Sequence, residues 1–492
     1  MQPRNLLFIM SDEHSRRVLG CYGHAMIRTP NLDRLAARGV RFSDAYCNSP
    51  ICVPSRASFH TGRYPHQIRF WDNGIPYDGS VPSWAHRVRE AGCRATAIGK
   101  LHFRSADDDN GFSEEIMPLH VVDGVGDPSG MLRRPLAVRK AALKLARDAG
   151  CGDSDYQRYD DRITGAAQQW LREIASGDAG KPWVLFVSFV CPHFPLIARP
   201  QWYSLYPENE VPRPALYAID ERPHHPYLSA LRECQIYDQG FDESRLRKAI
   251  AAYFGLVSFV DHNVGRLLAT LEATGLERET RVIYTSDHGD NLGTRGLWGK
   301  SCMYEEAAGV PLIMAGPEVP QGVVCREPVS LVDCFATILD CVGAPRNPAD
   351  AGLPGASLCD VVAGTAPHRT VMSEYHAAGA ATGAFMIRRG PYKYVHYVGM
   401  PPQLFDLEHD PQETKDLGAD PRWADVVADC EAQLRGVVDP DAADRQAFAD
   451  QAERMAALGG REAVLARGSF AFSPVPGAKA VYAETEIVTK PV

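Results

Sequence analysis

Four apolar, strand-like runs in residues 1 to 345 are each followed within three residues by one of the ionisable side chains named below. The runs are "RNLLFIM", "RATAIG", "WVLFVSFV" and "RVIYTS", and helical stretches such as residues 244 to 274 lie between them. This alternation predicts a mostly parallel sheet covered by helices, and in such a sheet ligands bind at the carboxyl ends of the strands. The ionisable residues that follow the runs should therefore converge on one edge; they are Asp12, Lys100, His102, His193, Asp287 and His288.

A second, smaller region should follow this α/β sheet. Residues 343–356 are rich in proline and glycine, which is typical of a boundary. Beyond them, "AFMIRRGPYKYVHYV" predicts a hairpin about Gly390 and Pro391, and hence a short antiparallel sheet. We therefore divide the chain into an α/β domain over residues 1–355, an α+β part over 356–437, and a helical and extended tail over 438–492.

The tail is too apolar to remain in water and too short to fold alone. It carries Phe470, Phe472 and Tyr482 within one segment of residues 464 to 482. We expect this segment to pack on a neighbouring subunit near its active-site mouth, which would make the protein a homo-oligomer. Packing on its own domain is the alternative.

The composition argues against several classes of partner. The formal net charge of −9 makes nucleic acid or an anionic membrane a poor match, although a local basic pocket remains compatible with a small anion. The longest apolar run, residues 183–190, is too short to span a bilayer, and no secretory apolar segment follows the first residues. Because the 13 cysteines form no CxxC pair, we expect reduced thiols and a cytoplasmic protein.

The stretch "ICVPSRASFHTG", residues 51–62, places Cys52 at the start of a predicted short helix. A helix N-terminus presents free N–H groups to an anion, and Arg56, four residues later, shares that face. This pattern favours an anion-binding, reactive position. The alternative is an inert, buried thiol beside a helix cap.

Several blocks of the sequence resemble the sulfatase family. "CVPSRASFHTG" resembles its first signature, in which a separate formylglycine-generating enzyme oxidises the cysteine to formylglycine (3-oxoalanine). "AGCRATAIGKLHF" is similar to the second signature, and "PHFPL", "TSDHGDNLGTRGLWGK" and "PPQLFDLEHDPQETKDL" are similar to later blocks. The resemblance spans residues 4 to 420. It implies an alkaline-phosphatase-like sheet sandwiched by helices, and hydrolysis of a sulfate ester to an alcohol and inorganic sulfate.

The resemblance also implies a covalent mechanism at Cys52. The formylglycine aldehyde hydrates to a geminal diol, and one hydroxyl attacks sulfur to form a sulfo-enzyme intermediate. The second hydroxyl then loses its proton, sulfate is expelled and the aldehyde returns. A plain serine or cysteine could form the ester but has no second hydroxyl with which to release it.

The metal ligands implied by the resemblance are Asp12, Asp287, His288 and the modified Cys52 oxygen. The family's arylsulfatase pattern has a second aspartate and an asparagine where this chain has Glu13 and His288. The Asp-His form is nearest to the choline sulfatase and phosphonate monoester hydrolase branches. Because histidine supplies nitrogen, we expect one divalent ion, Mn²⁺ in preference to Ca²⁺. Ligation by Glu13 is left open.

Three cations and one amide resemble the family's anion-binding groups. Lys100 and Lys300 would hold the sulfate oxygens, and Arg56 would stabilise the aldehyde hydrate, since cations favour developing negative charge. Asn73, in "WDNG", would contact the anion, although a turn asparagine is an alternative.

Two histidines are suited to acid–base chemistry near neutral pH. By resemblance, His102 would take the proton of the second hydroxyl and His193 would protonate the departing alcohol and contact the substrate. The same machinery also suits a phosphonate monoester or phosphodiester, whose reacting centre is likewise tetrahedral and anionic. A non-catalytic anion-binding protein with an unmodified Cys52 is the third alternative.

Overall fold

A computed structural model describes residues 2–177, 180–367 and 369–488. Its centre is an eight-stranded sheet in which the strand Leu312–Ala315 runs antiparallel to both of its neighbours and the other strands share one direction. The strands in spatial order are Val323–Cys325, Gly39–Phe42, Leu312–Ala315, Thr280–Ser286, Asn5–Asp12, Trp183–Pro192, Arg94–Lys100 and Glu114–Leu119. The four apolar runs are thus strands of one mostly parallel sheet, which confirms the predicted fold class.

Both faces of the sheet are covered, which explains the continuous apolar runs. Along the strand Asn5–Asp12, Leu7 and Ile9 enter one core and Leu6 and Phe8 enter the other. The helices Pro30–Ala37, Asp155–Ser176 and Glu243–Ala273 pack on the first face. The helices Cys52–Thr61, Trp84–Glu90 and Asp333–Val342 pack on the second. The predicted helix over 244 to 274 is confirmed as Glu243–Ala273.

The remaining elements are short and lie around this sandwich. The helices are Pro65–Ile68, Leu143–Arg147, Pro200–Tyr203, Pro226–Gln235, Glu305–Ala308 and Leu358–Ala363. The short strand pairs are Ala45–Tyr46 with Val329–Ser330, and Gly150–Cys151 with Ile197–Ala198. In the described part of the chain, no helix combines the length and the apolar character that crossing a bilayer requires.

A four-stranded antiparallel sheet follows, as predicted. Its strands in order are Val371–Tyr375, Ala384–Arg389, Tyr392–Tyr397 and Met400–Asp406. Arg389 pairs with Tyr392, so Gly390 and Pro391 form the turn, and Gly390 has a positive φ of 53° that favours glycine. The helix Ala424–Val437 covers one face of this sheet through Cys430 and Leu434.

The tail folds back over the first domain. After the helices Pro440–Ala457 and Arg461–Arg467, the strand Ser469–Phe470 pairs with Tyr482–Ala483, and Thr485–Ile487 pairs with Ala137–Arg139. Its aromatic segment therefore packs on its own chain, which is the alternative stated above. Assembly into a homo-oligomer stays a prediction.

Candidate active site

The site lies at the carboxyl edge of the central sheet. Three adjacent parallel strands, Thr280–Ser286, Asn5–Asp12 and Trp183–Pro192, end beside one another, and Arg94–Lys100 follows. Each strand delivers its polar residues at that edge because parallel strands end on the same side. The residues delivered are Asp12, Lys100, His102, His193, Asp287 and His288.

Cys52 is the first residue of the helix Cys52–Thr61 and points into this edge. Its Sγ lies 3.2 Å from Nε2 of His288 and 3.8 Å from Oδ1 of Asp12, and the residue is 1% exposed. Burial and the nearby Asp12 raise the pKa of the Cys52 thiol to about 12. Beside it, Asn73 Oδ1 accepts a hydrogen bond from the Val53 N–H at 3.2 Å, so Asn73 braces the start of this helix.

Arg56 holds the two carboxylates of the site in place. Its Nε donates to Oδ2 of Asp287 at 2.8 Å, and its Nη2 donates to Oδ2 of Asp12 at 3.1 Å. Nη1 donates to the Lys100 carbonyl and to Ser188 Oγ, and Arg56 is fully buried. The guanidinium thus sits behind the carboxylates, and its part in stabilising a hydrate at position 52 stays a prediction.

A metal ion fits the cluster of Asp12, Cys52, Asp287 and His288. One ligand atom from each lies within 4.8 Å of all the others, and all four residues are buried. Arg56 occupies Oδ2 of both carboxylates, and His288 Nε2 lies 3.9 and 3.7 Å from the two Oδ1 atoms. His288 Nδ1 lies 3.0 Å from the Gly289 carbonyl, which favours a proton on Nδ1 and a lone pair on Nε2. Two carboxylate oxygens and one imidazole nitrogen are a suitable donor set for a divalent cation.

Glu13 lies in a second group of possible metal ligands, with Asp12 and His193, and its part in ligation stays untested. Lys300 Nζ donates to Glu13 Oε2 at 2.9 Å and lies 2.7 Å from His193 Nε2. Burial raises the pKa of Glu13 to about 8, although Lys300 opposes the shift. Burial and the charge of Lys300 hold the pKa of His193 well below its ordinary value, and its Nδ1 lies 2.6 Å from the Phe194 carbonyl. His193 is therefore neutral in the absence of substrate.

Lys100 and His102 follow the same strand but have different environments. Lys100 Nζ contacts Oδ2 of Asp12. Although burial raises the pKa of Asp12, the charge of Lys100 holds it well below its ordinary value. Burial, together with Lys100 and Arg56, keeps the pKa of His102 well below its ordinary value. His102 is thus neutral and available to accept a proton.

A cavity of about 80 Å³ lies at this edge of the sheet. That volume is roughly the room of a handful of water molecules, which suits a sulfate group and part of a small alcohol. The residues assigned from the sequence that line it are Cys52, Asn73, Lys100, His102, His193 and Lys300. Sequence reasoning missed part of its wall, which comes from the tail residues 470 to 473. The apolar character of the tail was visible in the sequence, but its target was not.

The fold is an alkaline-phosphatase-like α/β sandwich, with a lysine- and histidine-lined cavity and a carboxylate–histidine cluster at the strand ends. Residues 4–344 match the model of the sulfatase family, described as Sulfatase. Residues 293–439 match the model described as N-sulphoglucosamine sulphohydrolase, C-terminal. The chain belongs to the sulfatase family and is a sulfuric ester hydrolase.

Similar proteins cover most of the chain. The choline-sulfatase of Rhizobium meliloti is 34% identical over 428 residues, covering 85% of this chain and 83% of that protein. Arylsulfatase K of Danio rerio is 29% identical over 461 residues, covering 88% of this chain and 84% of that protein. The phosphonate monoester hydrolase of Silicibacter pomeroyi has a similar structure, with a TM-score of 0.69 and 25% identity, covering 88% of this chain and 94% of that one.

Proposed function

We propose that this chain hydrolyses small sulfate monoesters with a formylglycine at position 52. The observation that carries the proposal is the place of Cys52, whose Sγ lies within 4 Å of both His288 Nε2 and Asp12 Oδ1 at the base of the anion cavity. An unmodified thiol at this position could accept the sulfate group, but it is not a geminal diol and has no second hydroxyl with which to release that group. Oxidation of Cys52 by a formylglycine-generating enzyme would supply the missing hydroxyl once the aldehyde is hydrated.

The cluster of Asp12, Asp287 and His288 would hold one divalent cation against the side chain of residue 52. Such a cation would lower the pKa of a neighbouring hydroxyl group and would bind a sulfate oxygen. The nitrogen of His288 favours Mn²⁺ over Ca²⁺. Arg56 would keep both carboxylates oriented toward the cation while remaining outside the cavity.

The residues around the cavity supply the proton transfers. One hydroxyl of the hydrated aldehyde loses its proton to solvent, its oxygen attacks sulfur, and the bond from sulfur to the alcohol oxygen breaks. His193 is neutral before substrate binds; it would take up a proton from solvent at Nε2 when the anionic substrate enters and then pass that proton to the departing alcohol. His102 then takes the proton of the second hydroxyl, the carbonyl re-forms and sulfate leaves with its oxygen. Lys100 and Lys300 hold the sulfate oxygens during both steps.

The decisive experiment is the mass of the tryptic peptide from Phe42 to Arg56. Conversion of Cys52 to formylglycine replaces sulfur by oxygen and removes two hydrogens, so the peptide becomes lighter. We expect the lighter mass after expression with a formylglycine-generating enzyme, together with turnover of a sulfate ester. An unmodified peptide from a fully active preparation would contradict the proposal.

A phosphonate monoesterase activity is the second candidate. The Asp-His pair and the structural similarity to a phosphonate monoester hydrolase favour it. Choline sulfate, an aryl sulfate and an aryl phosphonate monoester should be compared at equal concentration with the same preparation. We expect the highest kcat/KM for a sulfate; a phosphonate turned over faster than both sulfates would replace the proposed reaction with the second candidate.

A further inference from the structure

The tail residue Ser473 makes a direct contact with one of the two cavity histidines. Ser473 Oγ lies 2.8 Å from Nε2 of His102, although 371 residues separate them in the chain. Both side chains are buried. Among the residues that the structure describes, the other ring nitrogen of His102, Nδ1, has no hydrogen-bond partner. Ser473 is thus the hydrogen-bond partner that the described residues offer to the His102 ring.

The tail is anchored on both sides of Ser473. Tyr156 donates its hydroxyl to the Ser473 carbonyl at 2.6 Å. The ring of Phe472 packs edge-on against Tyr156 at 5.5 Å between centroids, and against Phe194 at 6.3 Å. The strand pairs that flank this segment hold its ends against residues 137 to 139 and against the tail itself. These contacts fix the hydroxyl of Ser473 against the ring.

We propose that Ser473 is a positioning residue for His102, a role that rests on the function proposed above. When His102 Nε2–H donates to Ser473 Oγ, Nδ1 keeps the lone pair that a general base requires. Without the hydroxyl, the ring is free to rotate and to exchange tautomers. The step that depends on His102 is the release of sulfate from the covalently sulfated chain, whereas the first transfer of sulfate to the chain depends on His193.

The test compares Ser473→Ala with Ser473→Thr and with the control Ser469→Ala. Ser469 lies on the same tail and is buried, and its hydroxyl has no partner among the described residues. In a rapid-mixing experiment, Ser473→Ala should keep the initial burst of alcohol and lower the steady-state rate by roughly ten- to a hundredfold. Ser473→Thr should recover most of that rate because it retains a hydroxyl, and Ser469→Ala should match the parent.

A second measurement does not depend on activity. The ¹⁵N spectrum of the histidine side chains, recorded on the unmodified protein without metal, reports the His102 tautomer. Its signals should shift in Ser473→Ala and remain unchanged in Ser469→Ala. Tyr156→Phe removes the hydroxyl that holds the Ser473 carbonyl, and it should change the same signals and the same step to a smaller extent.

The outcomes separate this inference from the proposed function. If the parent protein turns over no sulfate ester, the proposed function fails, and the spectrum still tests the contact. If the parent is active and Ser473→Ala matches Ser469→Ala in burst, steady state and spectrum, the positioning role of Ser473 is wrong. A change in burst amplitude with no change in the later rate would also overturn it, since that result assigns Ser473 to the first step.

Discussion

His288 Nε2 lies 3.2 Å from the Sγ of Cys52, and both residues are buried. The side chain of residue 52 is therefore in contact with the nitrogen-bearing member of the ligand cluster before any substrate arrives. An oxygen in place of this sulfur would meet the same neighbours. The proposed nucleophile and the proposed metal site thus form one unit, and a change to either should affect the other.

Replacing Cys52 with serine should separate the two halves of the reaction. The serine hydroxyl could attack sulfur slowly, but its ester would have no second hydroxyl to expel sulfate. In a host that modifies cysteine alone, Cys52→Ser should give at most about one turnover per chain and accumulate sulfate on the peptide that ends at Arg56. Mass spectrometry after mixing with substrate measures this adduct.

The matched control for that experiment is Cys47→Ser. Cys47 is buried on the same tryptic peptide but does not line the cavity. It should retain the parent rate. Sustained turnover by Cys52→Ser near that rate would mean that the diol mechanism is incorrect.

Changing His288 to asparagine should alter the metal preference. The substitution replaces the nitrogen ligand by an amide oxygen, so the bound metal should shift from Mn²⁺ toward Ca²⁺ with part of the activity retained. Elemental analysis after exposure to equal concentrations of both ions measures the shift, with the exposed His409→Asn as the control. Absence of both ions from the parent, with turnover unaffected by a chelator, would refute the ligand assignment.

The contact between Glu374 and His66 should make the free energy of unfolding depend on pH. Burial raises the pKa of Glu374, but His66 and His376 together outweigh it and lower that pKa to about 2. Glu374 in turn raises the pKa of His66 against the effect of burial. The contribution of ionised Glu374 to the free energy of unfolding is complete above its unfolded pKa, about 4.5, and is lost as the pH falls toward 2. The contribution of protonated His66 is complete below its unfolded pKa, about 6.5, and is lost as the pH rises through its raised pKa in the folded state.

Glu374→Gln should therefore lower the free energy of unfolding near pH 6 by roughly 3 kcal/mol. It should also reduce the change in that free energy between pH 4.5 and 2. Urea unfolding across this range measures both effects, and the exposed Glu408→Gln serves as the control. Equal pH slopes for the parent and Glu374→Gln would show that the pair does not stabilise the fold in this way.

Truncation after Arg461 should lower the molar mass in light scattering. The deletion removes Phe472 and Tyr482, which pack on their own chain but keep part of their apolar surface uncovered. Because Tyr482 is partly exposed and Phe472 is half-buried on its own chain, apolar surface remains for a second subunit. An unchanged mass would exclude the tail as the assembly element.

The sheet and its polar edge could be predicted because both depend on local sequence. Each apolar run encodes a strand, and its next residue marks the strand end; Asp12 and Lys100 are examples. The link between Ser473 and His102 could not be predicted, because it depends on how the chain returns after 371 residues. The contact of Glu13 with Lys300 was missed for the same reason, since it joins loops 287 residues apart.

If Cys52 is oxidised as we propose, the covering of the cavity by the tail limits the time at which this can happen. Cys52 is 1% exposed in the folded chain, so a modifying enzyme has no access once the pocket is complete. On the ribosome, residues 45–61 emerge long before residues 469–488 exist to close over them. The nascent chain therefore offers its cysteine for a limited interval, and the rate of translation sets how long that interval lasts. A supply of oxidising enzyme that is too slow for this interval would leave a well-folded but permanently inactive population.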